Sequence, residues 1–314
     1  MAGMTAEFRI VEGPCPVYGG TDREPLLDGL RDVENNIPGA YAIARCRGCR
    51  MIYLSSRPDE ASLHACYDDN YHVRFDRGMN PVMRLLFNAR YAFRLRRLLR
   101  HGGGRPPESL LEIGCGDGNL LAYLERALPE TELTGVELDT RHIALPAGSR
   151  IQLHEADFDH LDLGRRYDAV VMYHVLEHLV RPVETLQRIR ALLKPGGFLL
   201  FQVPNWTTPW RRVFPRHWNG LQIPRHQFFL DPGSLPELCE RGGFRLESTA
   251  GLTDPGDFAV SACNWITDRM GLKTLPRRAW FYLPTVMLGA GLVAASNALT
   301  RRSGEIEVLA RPAE

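Results

Sequence analysis

Three glycines at alternate positions, Gly114, Gly116 and Gly118, end an apolar run that starts at Leu110 and holds one acid, Glu112. An apolar run cut by glycine and followed by a helical pattern reads as a buried strand turning sharply into a helix. Glycine lets a ligand come close to the backbone, and the amides opening the next helix point toward it. A second apolar run, Leu133-Thr134-Gly135-Val136, then delivers Glu137. A carboxylate at the tip of the second strand can accept two hydrogen bonds from a ribose diol. The spacing is G-x-G-x-G, not the G-x-G-x-x-G of dinucleotide-binding proteins.

Histidine supplies the second group of reactive residues. His174-Val175-Leu176-Glu177-His178 leaves the carboxyl end of the apolar run Tyr167–Tyr173. In a parallel sheet that end faces the ligand crevice. An imidazole can take a proton from a hydroxyl nucleophile near neutral pH. His178 is the favoured base. His226, next to Arg225, is the rival base or a substrate ligand, and Glu177 is suited to orienting one of the rings. Metal-assisted chemistry would need an acidic cluster near the crevice. Asp68-Asp69-Asn70 lies upstream of it and reads as a turn.

Cysteine supplies the third group. Cys15 and the pair Cys46-Arg47-Gly48-Cys49 resemble the two knuckles of a zinc ribbon, whose tetrahedral ion needs four ligands. Tyr18 stands where the second cysteine of the first knuckle would be. His64, Cys66 and His72 are the candidates for a fourth ligand, and a ribbon that keeps its shape without metal is the plainer expectation.

These residues need a scaffold. At 314 residues the chain can hold one large domain and a small appendage, and 44% apolar with 24% charged residues is a soluble globular composition. A net charge of +1 gives no reason to expect a nucleic-acid partner. Residues 1–75 read as the ribbon-like module and 76–314 as the main domain. Further strands are expected at 151–154, 167–173, 198–203, 244–249 and 305–310, with helices at 182–193 and 234–241. Lys194-Pro195-Gly196-Gly197 reads as a helix-ending turn. Asn80 to His101 is a helical stretch with six arginines, read as a solvated face over the site or as a contact for anionic lipid or phosphate. Residues 204–230 are rich in proline and tryptophan and read as a lid.

With Glu112 ahead of the glycines, the loop resembles motif I of the class I S-adenosylmethionine-dependent methyltransferases. H-V-L-E-H with L-K-P-G-G, and Pro224-Arg225-His226 beyond them, resemble the branch holding ubiquinone-biosynthesis O-methyltransferases and sugar and natural-product methyltransferases. The resemblance covers about residues 105–250. It implies an α/β, Rossmann-like fold with a seven-stranded mixed sheet whose seventh strand is antiparallel. It also implies S-adenosylmethionine held by Glu112, Gly114, Cys115, Gly116 and Gly118, with Glu137 and Leu138 at the ribose. Asp157 would accept from the adenine amino group, its other reading being the cap of a turn, and Phe158 would cover the adenine. Tyr173 and His174 would lie beside the methionine end through their backbone. The expected reaction is O-methylation of a small-molecule, sugar or lipid-linked acceptor. The alternatives are nitrogen or carbon methylation, or a cofactor-binding or interaction protein without transfer.

An uncharged run from Ala279 to Thr300 is long enough to span a bilayer core. Yet Glu305–Ala310 reads as the last strand of the sheet, so the insertion at 250–303 must return to its starting side. Arginine pairs at Arg277-Arg278 and Arg301-Arg302 agree with that. Peripheral membrane contact, a homodimer contact and a helix pair packed on the domain are the three readings. The opening residues lack the apolar core of a signal peptide. The cytoplasm, with the inner membrane face as an extension, is the expected location.

Overall fold

The computed structural model describes residues 8–67, 81–254, 256–272, 282–300 and 302–313. Among these residues the chain builds two sheets. The first is antiparallel, formed by β1 (Ile10–Glu12), β2 (Arg23–Leu30), β3 (Tyr41–Cys46) and β4 (Ile52–Pro58) in the order β1-β4-β3-β2. Its two faces are covered differently. Ala44, Cys46 and Tyr53 pack into the core of the large sheet, while Tyr41, Ile43, Ile52 and Leu54 pack into a separate cluster with Trp206 and Trp218. Successive strand residues point to opposite faces, so one pair of strands serves two cores. A short helix, α1 (Glu60–His64), follows, capped by the Asp59 side chain, which accepts from the Ser62 amide at 2.8 Å.

The second sheet belongs to the main domain. α2 (Pro81–His101) leads into β5 (Ser109–Ile113), which is buried at all five positions, as a central parallel strand covered on both faces must be. There follow α3 (Asn119–Ala127), β6 (Glu132–Glu137), β7 (Gln152–Glu155), β8 (Tyr167–Tyr173), α4 (Pro182–Ala191) and β9 (Leu193–Pro204). The chain continues through α5 (Pro209–Val213), β10 (Phe228–Phe229), α6 (Leu235–Arg241), β11 (Phe244–Leu252), α7 (Gly256–Arg269), α8 (Tyr282–Thr300) and β12 (Glu305–Pro312). The sheet order is β11-β12-β9-β8-β5-β6-β7, and β12 runs antiparallel to both its neighbours. The mixed sheet of seven strands with a reversed last strand is therefore present as expected. The order changes direction at β5, where β6 and β8 flank it, and that point opens the ligand crevice.

Three local expectations change. Lys194 to Gly197 does not merely end a helix. It lies within β9 as a bulge, with Tyr167 opposite Leu193 but Ala169 opposite Phe198. Gly196 there has φ +79°, open to glycine. The arginines of α2 are not all solvated. Arg94 is buried with its guanidinium 3.7 Å from the centre of the Tyr173 ring, and Arg97 pairs with the buried Glu307. The tryptophan-rich segment carries α5 and β10, and β10 pairs with β4 through Phe228–Tyr53 and Phe229–Ile52. Trp206, Trp218, Leu221 and Ile223 are buried beneath the first sheet. In the insertion, α7 and α8 pack together as a helical pair, one of the three readings of this stretch. Val293 is buried there, and at Gly289 a Cβ would lie 3.0 Å from Phe258 and 3.6 Å from Ala259. No helix among the described residues is long and apolar enough to cross a membrane. Because β11 and β12 pair antiparallel from Phe244–Pro312 to Leu252–Glu305, the insertion leaves and rejoins the same sheet edge. Residues 273–281 and Arg301 of that insertion lie outside the described residues.

Candidate active site

The glycine loop leaves β5 and enters α3. Gly114 has φ +67°, and a Cβ there would meet Val175 at 2.4 Å, so this turn admits only glycine. That contact also seats the loop after β8 directly on the loop after β5. Gly116, at φ +57°, faces open space, with nothing within 4 Å of a Cβ. Glu137 closes the far side: its carboxylate accepts from the Gly116 amide at 2.7 Å and from the Leu138 amide at 2.9 Å. Leu138 beside it is 53% exposed, an apolar side chain left at the crevice rim. Cys115 is buried, and burial pushes its thiol up.

Glu112 lies beneath the loop. It is 3% exposed, and one carboxylate oxygen has no hydrogen-bond partner. Burial pushes its carboxyl up to about 8, against the pull of Arg94. A buried carboxyl with one oxygen unpartnered, beside a glycine loop, suits a cationic group of a ligand, whose charge would favour the ionised form. Arg94, stacked on Tyr173, is the countercharge the chain itself provides, and nothing but its place among six arginines marked it in the sequence.

The acidic residue after β7 has a local role. Asp157 accepts from the Asp159 amide at 2.9 Å and caps the single turn Phe158–His160. Its side chain remains half exposed, with His160 at 3.8 Å. Phe158, expected to cover a base, is instead a core residue. It is 7% exposed, with the Arg188 guanidinium 5.7 Å from its ring centre. The turn capped by Asp157 sets Phe158 inward against α4, while Leu138 after β6 stays exposed.

The three histidines divide by charge. His174 adopts φ +58°, and its amide donates to the Gln202 carbonyl at 3.0 Å. Its ring sits between Glu305, 3.2 Å from Nε2, and Glu177, 3.5 Å from Nδ1. Burial works against its charge, but the two carboxylates outweigh this and raise it to about 9. Glu305, likewise opposed by burial, is brought down to about 2 by His174. The two carboxylates therefore favour the charged form of His174, a setting that suits it less well to taking a proton than the other two rings. Glu305 comes from β12, 131 positions along the chain, and no local pattern connects the two.

His178 and His226 are the opposite case. Their rings meet edge to face with centroids 4.5 Å apart. Burial lowers His226 to about 4, and burial with His226 and Arg225 nearby holds His178 well below its ordinary value. His226 Nδ1 lies 2.9 Å from the Gly220 carbonyl, so this nitrogen donates and Nε2 carries the lone pair, 4.0 Å from Glu177 Oε1. His178 Nδ1 lies 3.1 Å from the Tyr67 hydroxyl. Tyr67 comes from the first module, and no motif around it marks it in the sequence. Glu177, His178 and His226 each bring one ligand atom within 4.8 Å of the others, which is also the shape of a cation site. Both chain segments converge through the backbone, since the Gln227 amide donates to the Glu177 carbonyl at 2.8 Å.

Cys15, Cys46 and Cys49 also come together, in the turns of the first sheet. Of the candidate fourth ligands, the Cys66 thiol donates to the Ser62 carbonyl at 3.5 Å, while His72 and the side chain of His64 lie outside the described residues, as do Asp68, Asp69 and Asn70.

The reversed last strand, the glycine loop and the acid at the tip of the second parallel strand define the Rossmann-like methyltransferase fold. The profile of the methyltransferase-domain family matches residues 86–249, just over half of the 314 residues, and the chain belongs to that family. It is 29% identical over 136 residues to a malonyl-[acyl-carrier protein] O-methyltransferase of Halalkalibacterium halodurans, covering 40% of this chain and 48% of that protein. It is 27% identical over 169 residues to a ubiquinone biosynthesis O-methyltransferase of Nitrosococcus oceani, covering 49% and 70%. The chain thus spans about half the length of the first of these relatives. In structure it is similar to the 1,6-didemethyltoxoflavin-N1-methyltransferase of Burkholderia thailandensis, solved with S-adenosylhomocysteine, with a TM-score of 0.51 and 17% identity over 93% of this chain and all of that one. At that identity the likeness is one of fold.

Proposed function

We propose that the protein is an S-adenosylmethionine-dependent methyltransferase acting on a hydroxyl oxygen of a small or lipid-linked acceptor, with a neutral imidazole as base. The observation that carries this reading is the pair of rings His178 and His226, which meet edge to face, on a loop that Val175 seats against the glycine turn at Gly114 and a second that joins it through the Gln227–Glu177 backbone bond. S-adenosylmethionine, when bound, supplies a methyl group already activated as a sulfonium. Glu112 fits its ammonium group, having one buried oxygen without a partner, and Glu137 fits its ribose diol. Leu138 offers an apolar face for the base. Holding the acceptor in line is the larger part of such catalysis. Nε2 of His226 carries the free lone pair that can take the acceptor proton, and His178 beside it is the second proton site. Rings so weakly basic suit an acceptor hydroxyl that is itself acidic, such as a phenol or enol. The same weakness supports a second reading, an amine acceptor that needs no base at all.

The test combines binding and turnover. Titration calorimetry with S-adenosylmethionine and S-adenosylhomocysteine reads cofactor binding. Methyl-labelled cofactor, incubated with acceptor pools of phenols, amines and lipid extracts, reads transfer. His178→Ala and His226→Ala should bind cofactor normally, and loss of the base should slow hydroxyl methylation by roughly 10²–10⁴-fold. Full activity in both variants would move the reading to the amine acceptor. No cofactor binding in the wild-type protein would remove the methyltransferase reading itself.

A further inference from the structure

Methyl transfer makes no use of the two turns at the end of the first sheet, yet they are built alike bond for bond. In the first, the Cys15 amide donates to the Gly20 carbonyl at 3.0 Å and the Gly19 amide donates to the Cys15 carbonyl at 2.8 Å. In the second, the Cys46 amide donates to the Met51 carbonyl at 2.8 Å and the Arg50 amide donates to the Cys46 carbonyl at 2.9 Å. Gly19 and Arg50, equivalent in the two turns, both have positive φ, +77° and +62°. The Tyr18 amide also donates to Cys15 Sγ at 3.4 Å, a bond that stabilises sulfur as thiolate.

The sulfurs of Cys15, Cys46 and Cys49 lie within 4.8 Å of one another, and all three cysteines are free. Cys15 and Cys49 are 3.6 Å apart. Tetrahedral zinc with bonds of about 2.3 Å sets its sulfurs roughly 3.8 Å apart, so the spacing is that of a cation cage. The fourth corner belongs to position 18, which stands to Cys15 as Cys49 stands to Cys46. Tyr18 holds that position, 51% exposed, with its ring against Gly20 and Gly48 and the Arg241 guanidinium 5.4 Å from its centre. A tyrosine turned outward leaves the corner to solvent.

We propose that Cys15, Cys46 and Cys49 bind one thiophilic divalent cation of the zinc class through three thiolates, with water at the fourth position. The cation joins the turn before β2 to the turn between β3 and β4. β4 in turn carries β10, whose strand begins two residues after His226. The site therefore braces the edge from which one of the two neutral histidines is held, and it stands independently of which reaction those histidines serve.

The full-length protein, purified under reducing conditions without chelator, should contain about one zinc per chain by elemental mass spectrometry. Cobalt(II) added to metal-free protein should give a thiolate-to-metal charge-transfer band and the visible bands of a tetrahedral ion. Cys46→Ser should lose most of that band. Tyr18→Cys should add the missing corner, raising the band by about a third and the affinity by at least roughly tenfold. This variant keeps the proposal testable if Cys46→Ser fails to fold. A wild-type protein that takes up neither zinc nor cobalt would overturn the site. So would a Cys15–Cys49 disulfide in the reduced preparation, or a Tyr18→Cys protein that binds cobalt no better than wild type.

Discussion

Glu137 accepts from two backbone amides at the mouth of the glycine loop, and a bound diol would share the same carboxylate. Charge-assisted hydrogen bonds contribute about 1.5–3 kcal/mol each. Glu137→Ala should therefore weaken S-adenosylmethionine binding by at least roughly tenfold in calorimetry, with the protein still folded. Wild-type affinity in that variant would take the ribose away from Glu137. The charged pair His174–Glu305 makes a second prediction, through pH. His174 is raised from 6.5 to about 9, so its contribution is complete below 6.5 and is lost as pH rises through 9. Glu305 is lowered from 4.5 to about 2, so its contribution is complete above 4.5 and is lost as pH falls through 2. The melting-temperature gap between wild type and His174→Gln should be widest near pH 4.5–6.5 and close toward pH 9 and above. A gap that stays constant from pH 6 to 10 would mean that the imidazolium does not stabilise the fold.

The segment between β9 and α6 is a long connection after a core strand, which reads as a lid in the sequence. Trp218 and Thr208 tie it to α7. Trp218 Nε1 donates to Asp257 at 2.7 Å and the Thr208 hydroxyl donates to the same carboxylate at 2.9 Å, all three side chains being buried. Burial, with Asp254 nearby, pushes Asp257 up to about 7. Asp257→Ala would leave a buried indole N–H and a buried hydroxyl without an acceptor, at about 1–3 kcal/mol each. Denaturant unfolding should show a loss of that size. An unchanged midpoint would mean that this anchor contributes nothing. Because the segment also carries His226, the binding of α7 to it couples the helical insertion to the site.

The whole molecule is held by a first sheet that serves two cores. Removing residues 1–75 would strip the partner strand from β10 and uncover Trp206, Trp218, Leu221 and Ile223. Such a truncated chain should aggregate on expression, whereas a soluble, cofactor-binding product would show that the main domain folds alone. Trp265, Ile266, Met270 and Leu272 near the end of α7 are exposed, as are Leu292 and Leu299 of α8. We propose that this patch meets a lipid surface from one side, which would suit a lipid-linked acceptor. Co-flotation of the full chain with anionic vesicles should be lost when Trp265, Met270 and Leu272 are replaced by aspartate, without a change in melting temperature. Equal flotation of both proteins would leave the patch without a lipid role.

Local pattern alone settled the parallel strands, the glycine turn and the acid at the tip of β6. Each of these depends on neighbours in the chain: a run of apolar residues needs burial on both faces, and a turn at φ +67° needs glycine. The chemistry of the histidines was legible only as three rings in two places. Their charges were decided by partners from remote strands and turns, Glu305 of β12 for His174 and the mutual burial of His178 and His226. The inward turn of Arg94, the core position of Phe158 and the reach of Tyr67 to His178 were decided in the same way. A side chain's ionisation follows its distance to other charges and to water, and those distances exist only once strands far apart in sequence lie side by side.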